Sequence, residues 1–220
     1  MVSLLTFLPV IITLLAALSI LSQILITRQK LNFVCQSHTM ATQFELANLL
    51  HRLLQLNPKA ERLRKKRTIA EKNLKIALAS HVAPAIAATR AHLSAVIAMQ
   101  VALRKEQQSL LNQSKSVIYR FKQIIPQKLA GAASAEVQNV QIHQPHLAVS
   151  GLPLTSLTPS YHPLPFFSQL QKAHINWGWS IKTFEGPLLE FKNIVRGLFP
   201  GHCAATIKKE NNKWYPALSI

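Results

Sequence analysis

Residues 4–26 are LLTFLPVIITLLAALSILSQILI, and the first 27 residues of the chain contain no charged side chain. A helix needs about 20 apolar residues to cross the hydrocarbon core of a bilayer, so this run of 23 is long enough. The alternative is a buried helix of a soluble protein, but such a helix rarely keeps every face apolar over so many turns. The run therefore predicts a transmembrane helix, and we assign residues 1–27 to an anchor.

The start of the chain favours an uncleaved anchor over a secretory signal peptide. A signal peptide begins with a positively charged segment, whereas only Met1, Val2 and Ser3 precede the apolar run. Basic residues follow the run, beginning with Arg28 and Lys30, and the positive-inside rule would place the body in the cytoplasm. Long domains can cross a membrane regardless of charge, so the orientation stays open.

The composition removes the parts of most familiar enzyme mechanisms. The chain has 25 Lys and Arg against 8 acidic residues, for a formal charge of +17, and none of the acids is Asp. Ser-His-Asp triads, EF-hand loops and aspartate-bound Mg²⁺ sites are therefore excluded, because each of them uses aspartate. The first glycine is Gly131, which excludes a P-loop or a dinucleotide fingerprint from the N-terminal half. We expect no enzymatic activity and no cofactor.

Residues 28–130 form a basic region with helical periodicity. We expect one helix from about residue 39 and a second one from Asn57, with Asn57 as its N-cap and Pro58 in its first turn. Pro84 then either kinks the chain or separates two helices. The region is expected to end at a break over residues 128–134.

Apolar residues seven positions apart mark the third helical segment, residues 93–125. They are Val96, Leu103, Leu110, Val117 and Ile124. A repeat of seven predicts a stripe that packs against another helix in a coiled-coil-like seam. The partner is either residues 39–80 of the same chain, which would make a helical hairpin, or a second copy.

Residues 131–220 differ in composition, since they contain all 6 glycines and all 3 tryptophans. Ile175, Trp177, Trp179 and Ile181 alternate with more polar residues, which predicts a half-buried strand. A Pro-rich extended loop is expected over residues 144–166, a short helix after residue 187, and a hairpin over residues 204–218 that turns at residues 211–212. Residues 137–142 and 146–150 are further strand candidates. The chain is thus expected to be mainly α-helical, with a small C-terminal α+β part.

A cluster of basic residues stands in the second predicted helix. It comprises Arg62, Arg64, Lys65, Lys66 and Arg67. Such clusters bind anionic lipid or nucleic acid, although nucleic-acid readers usually add a recognised fold or interleaved aromatic residues, which are missing here. The alternative is a solvated helix face.

The cysteines and histidines allow several arrangements. Cys35 and Cys203 can form one long-range disulfide in an oxidising compartment, or stay free thiols in the cytoplasm. His143, His146 and His162 lie in the Pro-rich stretch without the spacing of a zinc site. Cys203 beside a histidine is a weak pattern for a thiol nucleophile. We predict no metal site.

The segment from Ser3 to Leu18, SLLTFLPVIITLLAAL, resembles the start of TadE/TadG-like minor pilins, which have a Phe and a Pro early in an apolar run. The layout of an apolar helix that continues into an amphipathic helix and ends in a small β-containing domain is also similar to pilin-like proteins. The chain departs from them because no Gly precedes the run and Thr6 stands where an acid is common. The resemblance implies the inner membrane, with the body on the periplasmic or pilus side.

Two functions follow as expectations. The first is a single-pass, membrane-anchored structural protein that assembles with protein partners or with itself through the heptad stripe, as in a pilus or secretion complex. The alternative is a cytoplasmic-facing membrane protein that binds anionic lipid or nucleic acid through residues 62–67.

Overall fold

A computed structural model describes residues 2–133, 135–145, 147–150, 157–164, 169–179, 199–210 and 213–218. The chain is mainly helical, with a small antiparallel sheet at its C-terminal end, which confirms this part of the predicted fold class. The helices are α1 (Val2–Gln55), α2 (Asn57–Ser80) and α3 (Ala83–Ala133). Helix α1 is unbroken, so it crosses the boundary that we predicted between residues 27 and 28.

Helix α2 begins at Asn57 with Pro58 in its first turn, as predicted, but its cap is different. The N-cap residue is Leu56, and no side chain bonds to the cap. At the other end, His81 adopts a left-handed conformation with φ of 52°, and its N–H donates to the Leu78 carbonyl. Pro84 lies in the first turn of α3, where a missing N–H costs little, so it separates two helices instead of kinking one.

Helix α3 continues through Pro126 to Ala133, so residues 128–133 of the break that we predicted over residues 128–134 are helical. Leu129 is fully buried in the core at this point. Packing of an apolar face supplies most of the stability of a helix, which explains why the helix persists through Gly131.

Helix α3 packs along both α2 and the second half of α1, in the opposite direction. Arg120 pairs with Glu45 at 2.7 Å, and Lys59 pairs with Glu106 at 3.8 Å. Helix α3 therefore runs antiparallel to α1 and α2, from residue 45 to the turn at residues 81–82.

Two sheets follow the helices. Strands β1 (Glu136–Ile142), β4 (Gln169–Trp179), β5 (Phe199–Glu210) and β6 (Lys213–Leu218) form an antiparallel sheet in the order β1-β4-β5-β6. Strands β2 (Leu147–Ser150) and β3 (Ser160–Pro163) pair separately. Strand β2 confirms the strand candidate at residues 146–150, whereas β3 lies in a stretch that we predicted to be an extended loop. Strand β4 buries Ile175, Trp177 and Trp179, as predicted. Ile181, the expected helix after residue 187 and the turn at residues 211–212 lie outside the described residues.

The main core lies where the sheet packs on the second half of α1 and the end of α3. Its fully buried large side chains come from all three elements: Leu31, Leu46, Leu50, Ile125, Leu129, Ile175, Trp177 and Ile207. The core therefore sits next to the exposed apolar half of α1.

Gly201 is required by the close approach of β5 to the indole of Trp177. A Cβ at Gly201 would overlap three atoms of the buried six-membered ring. We expect Gly201→Val to lower the free energy of unfolding by about 3 kcal/mol, because an overpacked core forces side chains and backbone to shift. Chemical denaturation measures this effect.

Gly131→Ala is the matched control for that substitution. Gly131 lies in α3, and a Cβ there has no other atom within 4 Å. Alanine should stabilise the helix by about 0.5–1 kcal/mol. Equal effects of the two substitutions would show that the packing of Trp177 on Gly201 does not matter.

Candidate functional site

Residues 7–19 of α1 have no packing partner among the described residues. All side chains from Phe7 to Ser19 are exposed, and none is buried in the most apolar window of the helix. A monomeric soluble protein rarely exposes a contiguous apolar patch of more than a few hundred Å². By length and composition this helix can cross a membrane, and α3 passes the same test.

The predicted anchor leads into the packed part of the chain within about two turns of helix. Ile20, Ile24 and Thr27 are half-buried, and Leu31 is the first residue of α1 that is fully buried. Arg28 and Lys30 are exposed at this level. An apolar stretch of helix that is followed by exposed basic residues is typical of a membrane–water boundary.

A disulfide lies directly beyond this entry point. Cys35 of α1 is bonded to Cys203 of β5, with their Cα atoms 6.2 Å apart and a sequence separation of 168. Both residues are buried, and the Thr39 hydroxyl donates to the Cys35 carbonyl at 2.6 Å while it lies 3.6 Å from the Cys203 sulfur. Because its sulfur is bonded, Cys203 is not available as a thiol nucleophile in this structure. The bond fixes the anchor helix to an inner strand of the sheet.

The predicted stripe on α3 is largely buried, with one exception. Val96, Leu103, Leu110 and Val117 are at most 6% exposed, whereas Ile124 is 36% exposed. Phe121 and Ile125 are buried instead. Up to Val117 the buried residues of α3 are alternately three and four positions apart, and after Val117 they are four positions apart. The buried face of the helix therefore turns away from Ile124.

The stripe also contains polar positions that we did not predict. Gln100, Gln107 and Ser114 are buried between the apolar residues and are themselves seven residues apart. The Gln100 amide donates to the Leu63 carbonyl at 3.4 Å, and the Gln107 amide donates to the Pro159 carbonyl at 3.0 Å. The repeat of these three residues was visible in the sequence and is the signal that could have identified them.

The cluster of residues 62–67 is divided by the fold. Arg64 donates to the Thr158 carbonyl at 2.8 Å, and Arg67 donates to Glu71 at 2.7 Å and to Gln100 at 3.4 Å. Lys65 pairs with Glu61, and this pairing lowers the pKa of the Glu61 carboxyl below its usual value. Arg62 and Lys66 are exposed. The cluster therefore does not form one uniform face.

Asn57 joins the start of α2 to the ribbon of β2 and β3. Its side-chain amide donates to the Tyr161 carbonyl at 2.7 Å, and its side-chain oxygen accepts from the Tyr161 N–H at 3.0 Å. The Asn57 side chain therefore bonds to β3 and does not cap α2 as predicted. Burial of the phenol raises the pKa of Tyr161, while the positive charge of Arg104 partly opposes the shift.

Histidines do not assemble into a metal site among the described residues. His174 and His202 stack with ring centroids 6.0 Å apart, but no group of three or more His, Cys, Asp or Glu residues in the described segments could hold a metal ion. His146 lies outside these segments.

The chain matches no protein-family model, no curated protein and no solved structure. The functional argument therefore rests on the exposed apolar half of α1, the disulfide and the surfaces of the paired helices.

Proposed function

We propose that the chain is a single-pass, membrane-anchored structural protein that assembles as a minor pilin-like component of a pilus or secretion complex. One observation carries this proposal. Helix α1 is continuous from an apolar stretch, residues 7–19, that has no partner in the described part of the chain, into a half that packs against an antiparallel sheet. This layout supports the pilin-like interpretation, because such proteins anchor and bundle through the apolar half and display the sheet domain on its continuation.

The paired helices act, in this proposal, as a coiled-coil-like hairpin within one chain. On α2, buried or half-buried residues recur at spacings of three and four: Ala60, Leu63, Arg67, Ala70, Leu74 and Ala77. On α3, the buried residues from Val96 to Phe121 do the same. Seams with this spacing are typical of coiled coils. The heptad stripe is therefore occupied by contacts within one chain, and we assign the contacts between subunits to the anchor.

The disulfide supports a body on the outer side of the membrane. Disulfides persist in the periplasm and outside the cell, whereas cytoplasmic thiols are kept reduced. This argument opposes the positive-inside rule, but that rule is weak for long domains. We therefore retain the periplasmic or pilus side for the body and the inner membrane for the anchor.

Binding of anionic lipid or nucleic acid through α2 remains a second candidate function. The exposure of Arg62 and Lys66 favours it, together with the formal charge of +17. It requires that binding fall steeply with added salt, because phosphate contacts release counterions.

Cysteine cross-linking within the anchor tests assembly. We expect single cysteines at Thr13, Ala16, Ala17 and Ser19 of the full chain in native membranes to give cross-linked species between subunits. Their yield should vary with a helical period, because only one face of each anchor meets its neighbour. Gel electrophoresis of the membranes after thiol oxidation measures the yield.

Phe44→Cys is the control, since Phe44 is exposed on the same helix but outside the anchor. Cross-linking at Phe44 with none in the anchor would contradict assembly through the apolar helices. Strictly monomeric anchors at all four positions would favour the second candidate function.

A further inference from the structure

The far end of the paired helices has an unusual charge pattern. We call residues 72–104 the distal end; it contains the end of α2, the turn at residues 81–82 and the first part of α3. It has no acidic residue, and its charged side chains are Lys72, Lys75, Arg90 and Arg104. Between Lys75 and Arg90 there are no charged residues at all.

Large apolar side chains are exposed along this end. Ile76 is 59% exposed, and Leu78 and Val82 are exposed by more than 40%. Ala77 is the only buried residue from 76 to 89. Met99 and Val101 add exposed apolar surface further along α3. We call residues 76–89, at the extremity of the distal end, the tip. Because so little of it is buried, the tip loses little packing on entering an apolar medium.

Two basic residues border the apolar tip at one level. The pairing of Glu45 with Arg120 and of Lys59 with Glu106 sets the alignment of the two helices. The same alignment places Lys75 opposite Arg90, and both side chains are exposed. The tip is therefore an apolar end with a basic collar, which complements a bilayer whose headgroups are anionic.

The tip points away from the anchor. From residue 27 to residue 80 the chain is helical except at the junction of α1 and α2, and this length of helix spans about 80 Å. With the anchor in one bilayer, the extended helices hold the tip far beyond the headgroups of that bilayer.

We propose that the distal end binds a second membrane with anionic lipid, so that the chain bridges two bilayers. Ile76, Leu78 and Val82 enter the boundary between headgroups and acyl chains, and Lys75 and Arg90 contact the lipid phosphates. The proposal goes beyond anchoring and assembly, and it holds whether or not the anchors associate with one another.

A lipid surface fits this end better than a protein groove does. The exposed apolar residues surround the tip instead of forming one stripe. Ile76 and Leu78 lie on α2 and Val82 lies on the turn, and α3 adds the small exposed residues Ala83, Pro84, Ala87 and Ala88. A helix that docks in a groove presents anchors at spacings of three and four on one face. Lys and Arg near the edge of an apolar end are typical of side chains at a membrane boundary.

Vesicle capture by the full chain tests the proposal. The chain is first inserted into tagged nanodiscs of phosphatidylcholine, which occupy the anchor, and is then mixed with labelled vesicles. We expect vesicles that contain phosphatidylglycerol to be captured, and vesicles of phosphatidylcholine alone to be captured at least tenfold less. The double substitution Lys75→Ala/Arg90→Ala should weaken capture about 25-fold, as each basic residue contributes about fivefold.

Ile76→Asp and Phe44→Asp form the matched pair of variants. Both residues are exposed on helices, at 59% and 57%, but only Ile76 lies at the tip. Ile76→Asp should reduce capture at least tenfold, and Phe44→Asp should leave it within twofold of the parent chain. Equal capture by these two variants, capture independent of phosphatidylglycerol, or nanodiscs that associate only with one another would overturn the proposal.

Discussion

Leu110→Glu should lower the free energy of unfolding by about 4 kcal/mol and leave the paired helices unfolded or loosely packed. Leu110 is 4% exposed in the middle of the seam on α3. Removing a buried leucine alone costs about 2–5 kcal/mol, and a carboxylate in its place would be buried without a partner. Urea denaturation followed by circular dichroism measures the loss.

Gln108→Glu controls for the added charge. Gln108 is exposed on the same helix, where its amide donates to the Asn112 oxygen at 3.2 Å. Substitutions at such surface positions usually change stability by less than about 0.5 kcal/mol. If Leu110→Glu left both stability and complex formation unchanged, the heptad stripe would have no structural role.

Cys203→Ser should lower the free energy of unfolding by about 4–5 kcal/mol, because it opens a covalent loop of 168 residues. A cross-link stabilises mainly by reducing the conformational entropy of the unfolded chain, and the effect grows with loop length. Serine is nearly isosteric and lies within reach of the Thr39 hydroxyl, which already contacts the Cys203 sulfur. The variant therefore removes the cross-link with little change in packing.

Reductant provides the comparison for this prediction. The unmodified chain in dithiothreitol should melt like Cys203→Ser, and the variant should melt at the same temperature with or without it. Blocking thiols in intact cells before lysis then tests the bond in its own compartment. A chain that is fully alkylated at both cysteines would contradict the disulfide and the outer placement of the body together.

Local patterns in the sequence predicted those parts of the fold that depend on one element at a time. The length of the apolar run indicates the anchor helix, and alternation around Trp177 indicates a strand whose buried face the structure confirms. Most of the heptad residues are buried for the same reason, since each helix presents one repeating face. These signals require no knowledge of distant residues.

The differences arise where distant segments meet. Asn57 bonds to Tyr161, and Arg64 bonds to Thr158, more than 90 residues away in each case. Near Ile124, helix α3 packs against α1 close to the point where β1 joins the core, so the buried face changes from Ile124 to Phe121 and Ile125. Each difference depends on where another element lies, and spacing within one helix does not contain that information.

The bond between Cys35 and Cys203 also has a mechanical consequence. Tension between the anchor and the carboxyl end of β6 passes along α1 to Cys35, crosses the sulfur bridge to β5 and continues to the end of the chain. Residues 36–202, between the two cysteines, lie in a side loop that this tension does not stretch. The paired helices and their apolar tip thus stay folded and extended while the anchor is pulled, and reduction of the bond would place them under load.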